Sequence, residues 1–166
     1  MLFNVSCSKN DDNSDDNSTD NSPAGEAVFQ ATIDGDTYSN YDFTIGVYEV
    51  VKGTTGNTLS INTGDINGEM VSLFLNGTDG FSSGTVKEMG DVDADSFTTF
   101  ATVRQASPQI TYFSNGGSVT ITNNREHPSE TGHRLLSGTF NITAATIDGI
   151  NTLSLSGSFT ELDFVD

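Results

Sequence analysis

From residue 26 to residue 166, apolar and polar side chains alternate with a period of two, and the i, i+3, i+4 spacing of an amphipathic helix does not recur. The alternation predicts strands over Ala27 to Ile33, Phe43 to Val51, Thr58 to Thr63, Met70 to Asn76, Phe97 to Val103, Gln109 to Ser114, Ser118 to Thr122, Leu135 to Thr143 and Thr152 to Leu162. Thr58 to Thr63 places Leu59 and Ile61 on one face; Ser118 to Thr122 does the same with Val119 and Ile121. One apolar face opposite a Thr/Ser/Asn face is the pattern of antiparallel sheet with one side in water.

The connections carry turn chemistry: Asp34-Gly35-Asp36, Gly53-Thr54-Thr55-Gly56-Asn57, Asp65-Ile66-Asn67-Gly68, Asn115-Gly116-Gly117 and Asp148-Gly149-Ile150-Asn151. Asn-Gly and Asp-Gly supply the positive φ angles of tight hairpins, and Gln109 to Thr122 is the clearest predicted hairpin. Strands at this spacing must close on themselves to keep their apolar faces dry. The expected fold is therefore all-β: an antiparallel β-sandwich or flattened β-barrel of roughly 8–10 strands. Phe29, Phe43, Phe74, Phe140 and Phe159 fall at alternating positions and are the predicted core aromatics. Leu136-Ser137-Gly138-Thr139-Phe140 is echoed by Leu155-Ser156-Gly157-Ser158-Phe159, which predicts two successive antiparallel strands with Gly at a bend and Phe as anchor.

Composition agrees. Ser, Thr and Asn number 19, 22 and 15 among 166 residues, a mixture that suits strands and their turns. Before residue 26 the pattern stops. Ser8 to Gly25 holds five Asp, four Asn and four Ser with no large apolar side chain, which predicts a disordered acidic tether over 8–25 ahead of a domain over 26–166. With 23 acidic against 6 basic residues, the formal charge is −17. Nucleic acid is excluded as a partner, because phosphate binding needs Lys and Arg to displace counterions.

The one cysteine, Cys7, stands between Met1-Leu2-Phe3-Asn4-Val5-Ser6 and the tether, so no intrachain disulfide exists. Residues 1–7 resemble the lipobox end of a bacterial lipoprotein signal peptide. That resemblance implies that Cys7 is the lipidated first residue of the mature protein, in a chain whose start lies downstream of a longer precursor's. Multiple acyl chains give the membrane retention that one chain does not. The run Cys7-Ser8-Lys9-Asn10-Asp11-Asp12 resembles the lipoproteins of Bacteroidetes, in which an acidic run behind the cysteine accompanies export to the cell surface. Phe29-Gln30-Ala31-Thr32-Ile33-Asp34-Gly35, Gly117-Ser118-Val119-Thr120-Ile121-Thr122 and Ser137-Gly138-Thr139-Phe140 are similar to strand and turn motifs of an uncharacterised lipoprotein family of that group. They imply fold and location and bring no catalytic residue.

Candidate chemistry is sparse. Gly80-Phe81-Ser82-Ser83-Gly84 spells the G-x-S-x-G elbow of serine hydrolases, but Thr85-Val86-Lys87 continues as a strand where the elbow needs a helix. Asp91, Asp93 and Asp95 have the D-x-D-x-D rhythm of calcium loops, with Ser96 and Thr102 where an EF-hand needs Gly and Glu; a charged surface loop is expected, with a weak calcium site as the alternative. Glu126, His127, Glu130 and His133 are zinc-ligand types in the loop Asn123 to His133, at a spacing that matches no established site, so a solvated polar loop is expected. Tyr38, Tyr41, Tyr48 and Tyr112 are the candidates for a sugar-stacking face. No nucleophile, base and orienting group assemble from two histidines. The expectation is a non-enzymatic, lipid-anchored outer-membrane domain for binding or adhesion, with a glycan-binding or small-ligand accessory of an uptake system as the alternative.

Overall fold

The computed structural model describes residues 22–166. Cys7 and the first part of the tether lie outside the described residues. Among the described residues ten strands form one antiparallel sheet: β1 (Val28–Gly35), β2 (Tyr38–Thr44), β3 (Val47–Lys52), β4 (Leu59–Gly64), β5 (Met70–Leu75), β6 (Val86–Glu88), β7 (Phe100–Gln105), β8 (Ile110–Glu126), β9 (His133–Ala145) and β10 (Thr152–Val165). The order is β2-β1-β10-β9-β8-β7-β5-β4-β3, with the short β6 also on β8. The sheet curls into a half-barrel, as the all-β expectation required.

Period-two burial sets the curl. Phe29, Ala31 and Ile33 of β1 point inward while Gln30, Thr32 and Asp34 do not. Leu59, Ile61, Val119 and Ile121 are fully buried in the same core. Phe29 stacks on Phe140 and Phe159 at 5.2 and 6.3 Å and meets Phe43 edge-on at 5.8 Å. The two echoed motifs lie side by side: Gly157 pairs with Phe140, and Gly138 with Phe159. Each glycine vacates the space that the facing strand's ring occupies.

Two expectations are corrected. Phe43 to Val51 is not one strand: Tyr38–Thr44 pairs with β1, and Val47–Lys52 pairs with β4 at the far edge of the sheet. The partner changes within two residues, because Ile45 N–H donates to Phe29 O at 3.0 Å and Gly46 N–H to Gly64 O at 2.8 Å. This step brings the two sheet edges together at one corner. Gln109 to Thr122 is not a hairpin: all of it after Gln109 lies in the 17-residue β8. Asn115-Gly116-Gly117 forms a bulge there, with the register shifting between Ser114 and Gly116 and Gly117 at φ +99°. A hairpin and a glycine bulge both need positive φ, and the ladder partner β9 running past the bulge decides between them.

Candidate functional site

The tyrosines do not form a stacking face. Tyr38 and Tyr112 are buried, Tyr41 and Tyr48 half-buried. The Tyr38 ring lies 5.6 Å from Tyr41 and 6.3 Å from Tyr112. Their hydroxyls donate to carboxylates at the strand turns: Tyr38 to Glu69, Tyr41 to Asp65 and Tyr112 to Asp36. Asn67 Nδ2 donates to the Tyr41 oxygen at 2.7 Å. A buried phenol needs an acceptor, and the acidic turns Asp34 to Asp36 and Asp65 to Glu69 supply it. The result is a latch from β2 across to the β4–β5 turn, closing one end of the half-barrel.

Burial and the adjoining carboxylates push all three phenols up, Tyr112 to about 12. Above pH 10 the unfolded chain therefore releases protons that the native chain keeps, so stability falls as pH rises from 10 towards 12. Lys87 acts oppositely. Its burial lowers the ammonium pKa, so its own contribution rises with pH until the unfolded lysine titrates near 10.5. An alkaline titration is expected to show the tyrosinate absorbance of Tyr38, Tyr41 and Tyr112 rising together with loss of the strand signal. Their full ionisation in a chain that keeps its strand signal would contradict the latch.

The acidic loop is organised by Asp93 rather than shared among three carboxylates. Asp93 Oδ1 accepts from the N–H groups of Asp95 and Phe97 at 3.0 and 2.8 Å, and Oδ2 from Gly77 N–H at 3.0 Å. Partial burial works against ionisation, but these donors and the nearby Lys87 outweigh it and hold the carboxyl below its usual range. Asp91 and Asp95 face solvent, and the three are not gathered as one set of ligand atoms. Beneath the loop, Lys87 Nζ donates to Asn76 O at 3.0 Å and to Thr78 O, and stands 4.5 Å over the Phe81 ring. Ser82 of the G-x-S-x-G stretch is exposed, its hydroxyl 3.3 Å from that of Thr85, in a turn that leads into β6.

The feature that sequence reasoning missed lies on the outside. Phe74, expected in the core, is out of phase with buried Val71, Leu73 and Leu75 and points outward. It stacks on its ladder partner Phe100 at 5.3 Å and touches Phe97 at 6.2 Å. Phe100 and Phe113 are 42% and 46% exposed, the two exposed phenylalanines among the described residues. Phe113 pairs with Thr102, which shares the outer face of β7 with Phe100. The row continues from Phe74 through Ser60 of β4 to Val51 of β3, itself 45% exposed. Five adjacent strands, at about 4.8 Å spacing, make this stripe roughly 20 Å wide. Ser60, Ser72 and Thr102 stand between the apolar side chains.

No family model, curated protein or solved structure matches this chain. The residues themselves therefore carry the functional argument. At the opposite end of β8, Glu126, His127, Glu130 and His133 line a surface cavity of about 310 Å³ with Arg134 and Asp166. Residues 22 to 25 run close by: Arg125 donates to Ser22 O at 2.7 Å and Pro23 O at 3.1 Å, and Gly25 N–H to Glu161 at 3.3 Å.

Proposed function

We propose that this chain is a non-catalytic binding or adhesion domain, held at the outer face of an outer membrane by lipid on Cys7, that engages its partner through the outer aromatic stripe. The observation that carries the reading is the row on the outer sheet face in which exposed Phe100 and Phe113 flank half-buried Phe74, while the core on the other face is filled. Contiguous exposed apolar side chains cost solubility and mark interaction surfaces. Aromatic rings supply large, rigid contact area with little side-chain entropy to lose. The position of Ser82, in an exposed turn before a strand, supports a role without hydrolase chemistry.

A carbohydrate partner is the second reading, favoured by one detail. The rings are flanked by Ser60, Ser72 and Thr102, neutral hydroxyls suited to hydrogen bonding beside a stacked sugar.

Replacing Phe100 and Phe113 together by serine is expected to cost about 2 kcal/mol and leave the domain folded, since each ring is a little more than half covered and Phe100 stacks on Phe74. The same variant should lose adhesion to the surfaces that the full-length chain binds on intact cells, with labelling by an impermeant reagent unchanged. Undiminished adhesion in the labelled variant would remove the aromatic stripe from the account. Absence of labelling before lysis would remove the surface location.

A further inference from the structure

The loop between β8 and β9 is built around a histidine that faces inward on its own backbone. His127 Nδ1 lies 3.3 Å from Ser129 N and 3.0 Å from Glu130 N and accepts from both amides, which folds the loop back over the start of β9. That fold brings the Glu130 carboxylate to His133, the first residue of β9. His133 pairs across the ladder with Val165, so Asp163, two residues earlier on β10, is its diagonal neighbour on the same face. His133 Nδ1 is 3.0 Å from both Asp163 oxygens and 3.7 Å from Glu130 Oε2. One ligand atom from each of Glu130, His133 and Asp163 falls within 4.8 Å of the others.

We propose that Glu130, His133 and Asp163 form a binding site for a zinc-class divalent ion. Nitrogen and oxygen ligands at about 2.1 Å around a four-coordinate ion stand roughly 3.4 Å apart, so the observed separations of 3.0 and 3.7 Å bracket what one ion needs. One imidazole with two carboxylates suits zinc or manganese better than calcium, which takes oxygen ligands throughout. The local charge also calls for a cation. Among the described residues neither Glu130 nor Asp163 has a Lys or Arg within ion-pair distance. Arg134, next to His133 in β9, is directed instead to Asn124, with Nε 2.8 Å from its Oδ1 and one terminal nitrogen 2.9 Å from its carbonyl, and its other terminal nitrogen lies 3.9 Å from Asp166. Lys52 pairs with Asp166. The cavity of about 310 Å³ beside Glu130 and His133 leaves the remaining coordination positions to water or to a donor from a partner. Bound there, the ion clamps the β8–β9 loop to the end of β10. The site shares no residue with the aromatic stripe, so the two are tested by separate variants.

The test is isothermal titration of zinc into the full, untagged chain, with thermal unfolding followed in zinc and in chelator. One ion per chain is expected, with Tm raised by roughly 5–10 °C at a hundredfold excess over Kd. His133→Ala should abolish both, and Asp163→Asn and Glu130→Gln should weaken binding by about tenfold or more. Glu130→Gln lies in an exposed loop and leaves the His133–Asp163 pair intact, so it decides the matter even where His133→Ala does not fold. Asp93→Asn should bind as the wild type does. No heat and no Tm shift would overturn the site and leave His133 hydrogen-bonded to Asp163; so would a response that survives in Glu130→Gln and His133→Ala.

Discussion

Replacing Gly157 by alanine is expected to destabilise the domain by about 3 kcal/mol, and by valine to prevent folding, although glycine to alanine in a strand ordinarily gains about 0.5–1 kcal/mol. The reversal of sign comes from space. A Cβ at Gly157 would sit 2.1 Å from Gln30 O, 2.8 Å from the Ala31 Cα and 2.8 Å from the tip of the Phe140 ring. The first two are backbone atoms of β1, held by the β1–β10 ladder, and cannot move without breaking it. Gly138 is the matching position in β9, but there the closest atoms are Cζ and Cε1 of Phe159 at 2.4 and 2.9 Å, with Thr120 O at 2.7 Å. Gly138→Ala should therefore be partly rescued by Phe159→Leu, which shortens the obstructing side chain, whereas Gly157→Ala should gain nothing from Phe140→Leu. Urea unfolding of the four variants measures this. Equal costs at the two glycines with no rescue at either would mean that ring and backbone are not packed as described.

Arg125→Met should cost about 3 kcal/mol, near the top of the range for a single substitution outside the aromatic core. Arg125 is 9% exposed and its Nε and terminal nitrogen lie 3.3 and 2.6 Å from Glu161, which is itself mostly covered. Removing the guanidinium strands a carboxylate out of water and releases the carbonyls of Ser22 and Pro23. Glu161→Gln in the same chain takes away that stranded charge, so the double variant should recover at least half of the loss. The check is a double-mutant cycle by chemical denaturation. A single-variant cost below about 1 kcal/mol would class the pair with ordinary surface salt bridges.

Much of the architecture was legible because burial follows the period of two. Leu59, Ile61, Val119 and Ile121 lie where alternation puts them, and Asp65 to Gly68 and Asp148 to Asn151 are turns because their side chains favour turns. What was missed divides into two kinds. Some of it was written as phase. Phe43 and Tyr48 both face inward although they stand five positions apart, an odd step that strict alternation would send to opposite faces, so the alternation slips at Ile45-Gly46, where β2 hands over to β3. Phe74 is likewise out of phase with Leu73 and Leu75, and Phe113 with Tyr112. Assigning Phe74 to the core with Phe29, Phe43, Phe140 and Phe159 hid the outer stripe. The rest depends on tertiary pairing and has no local signal. Asp163 reaches His133 only because β9 and β10 pair in one register, thirty residues apart, and the tyrosine hydroxyls find acceptors on turns that the curl brings near.

The most direct test of the account is site-specific photo-cross-linking in intact cells that carry the full-length lipidated chain. A benzophenone amino acid in place of Phe100 or Phe113 keeps an aromatic ring on the outer face, and one in place of exposed Thr139 on β9 is the control. The account predicts discrete adducts from positions 100 and 113 and none from 139, with mass spectrometry separating a protein adduct from a carbohydrate one. No adduct at either phenylalanine, or the same adducts from all three positions, would contradict the claim that the aromatic stripe is the binding surface.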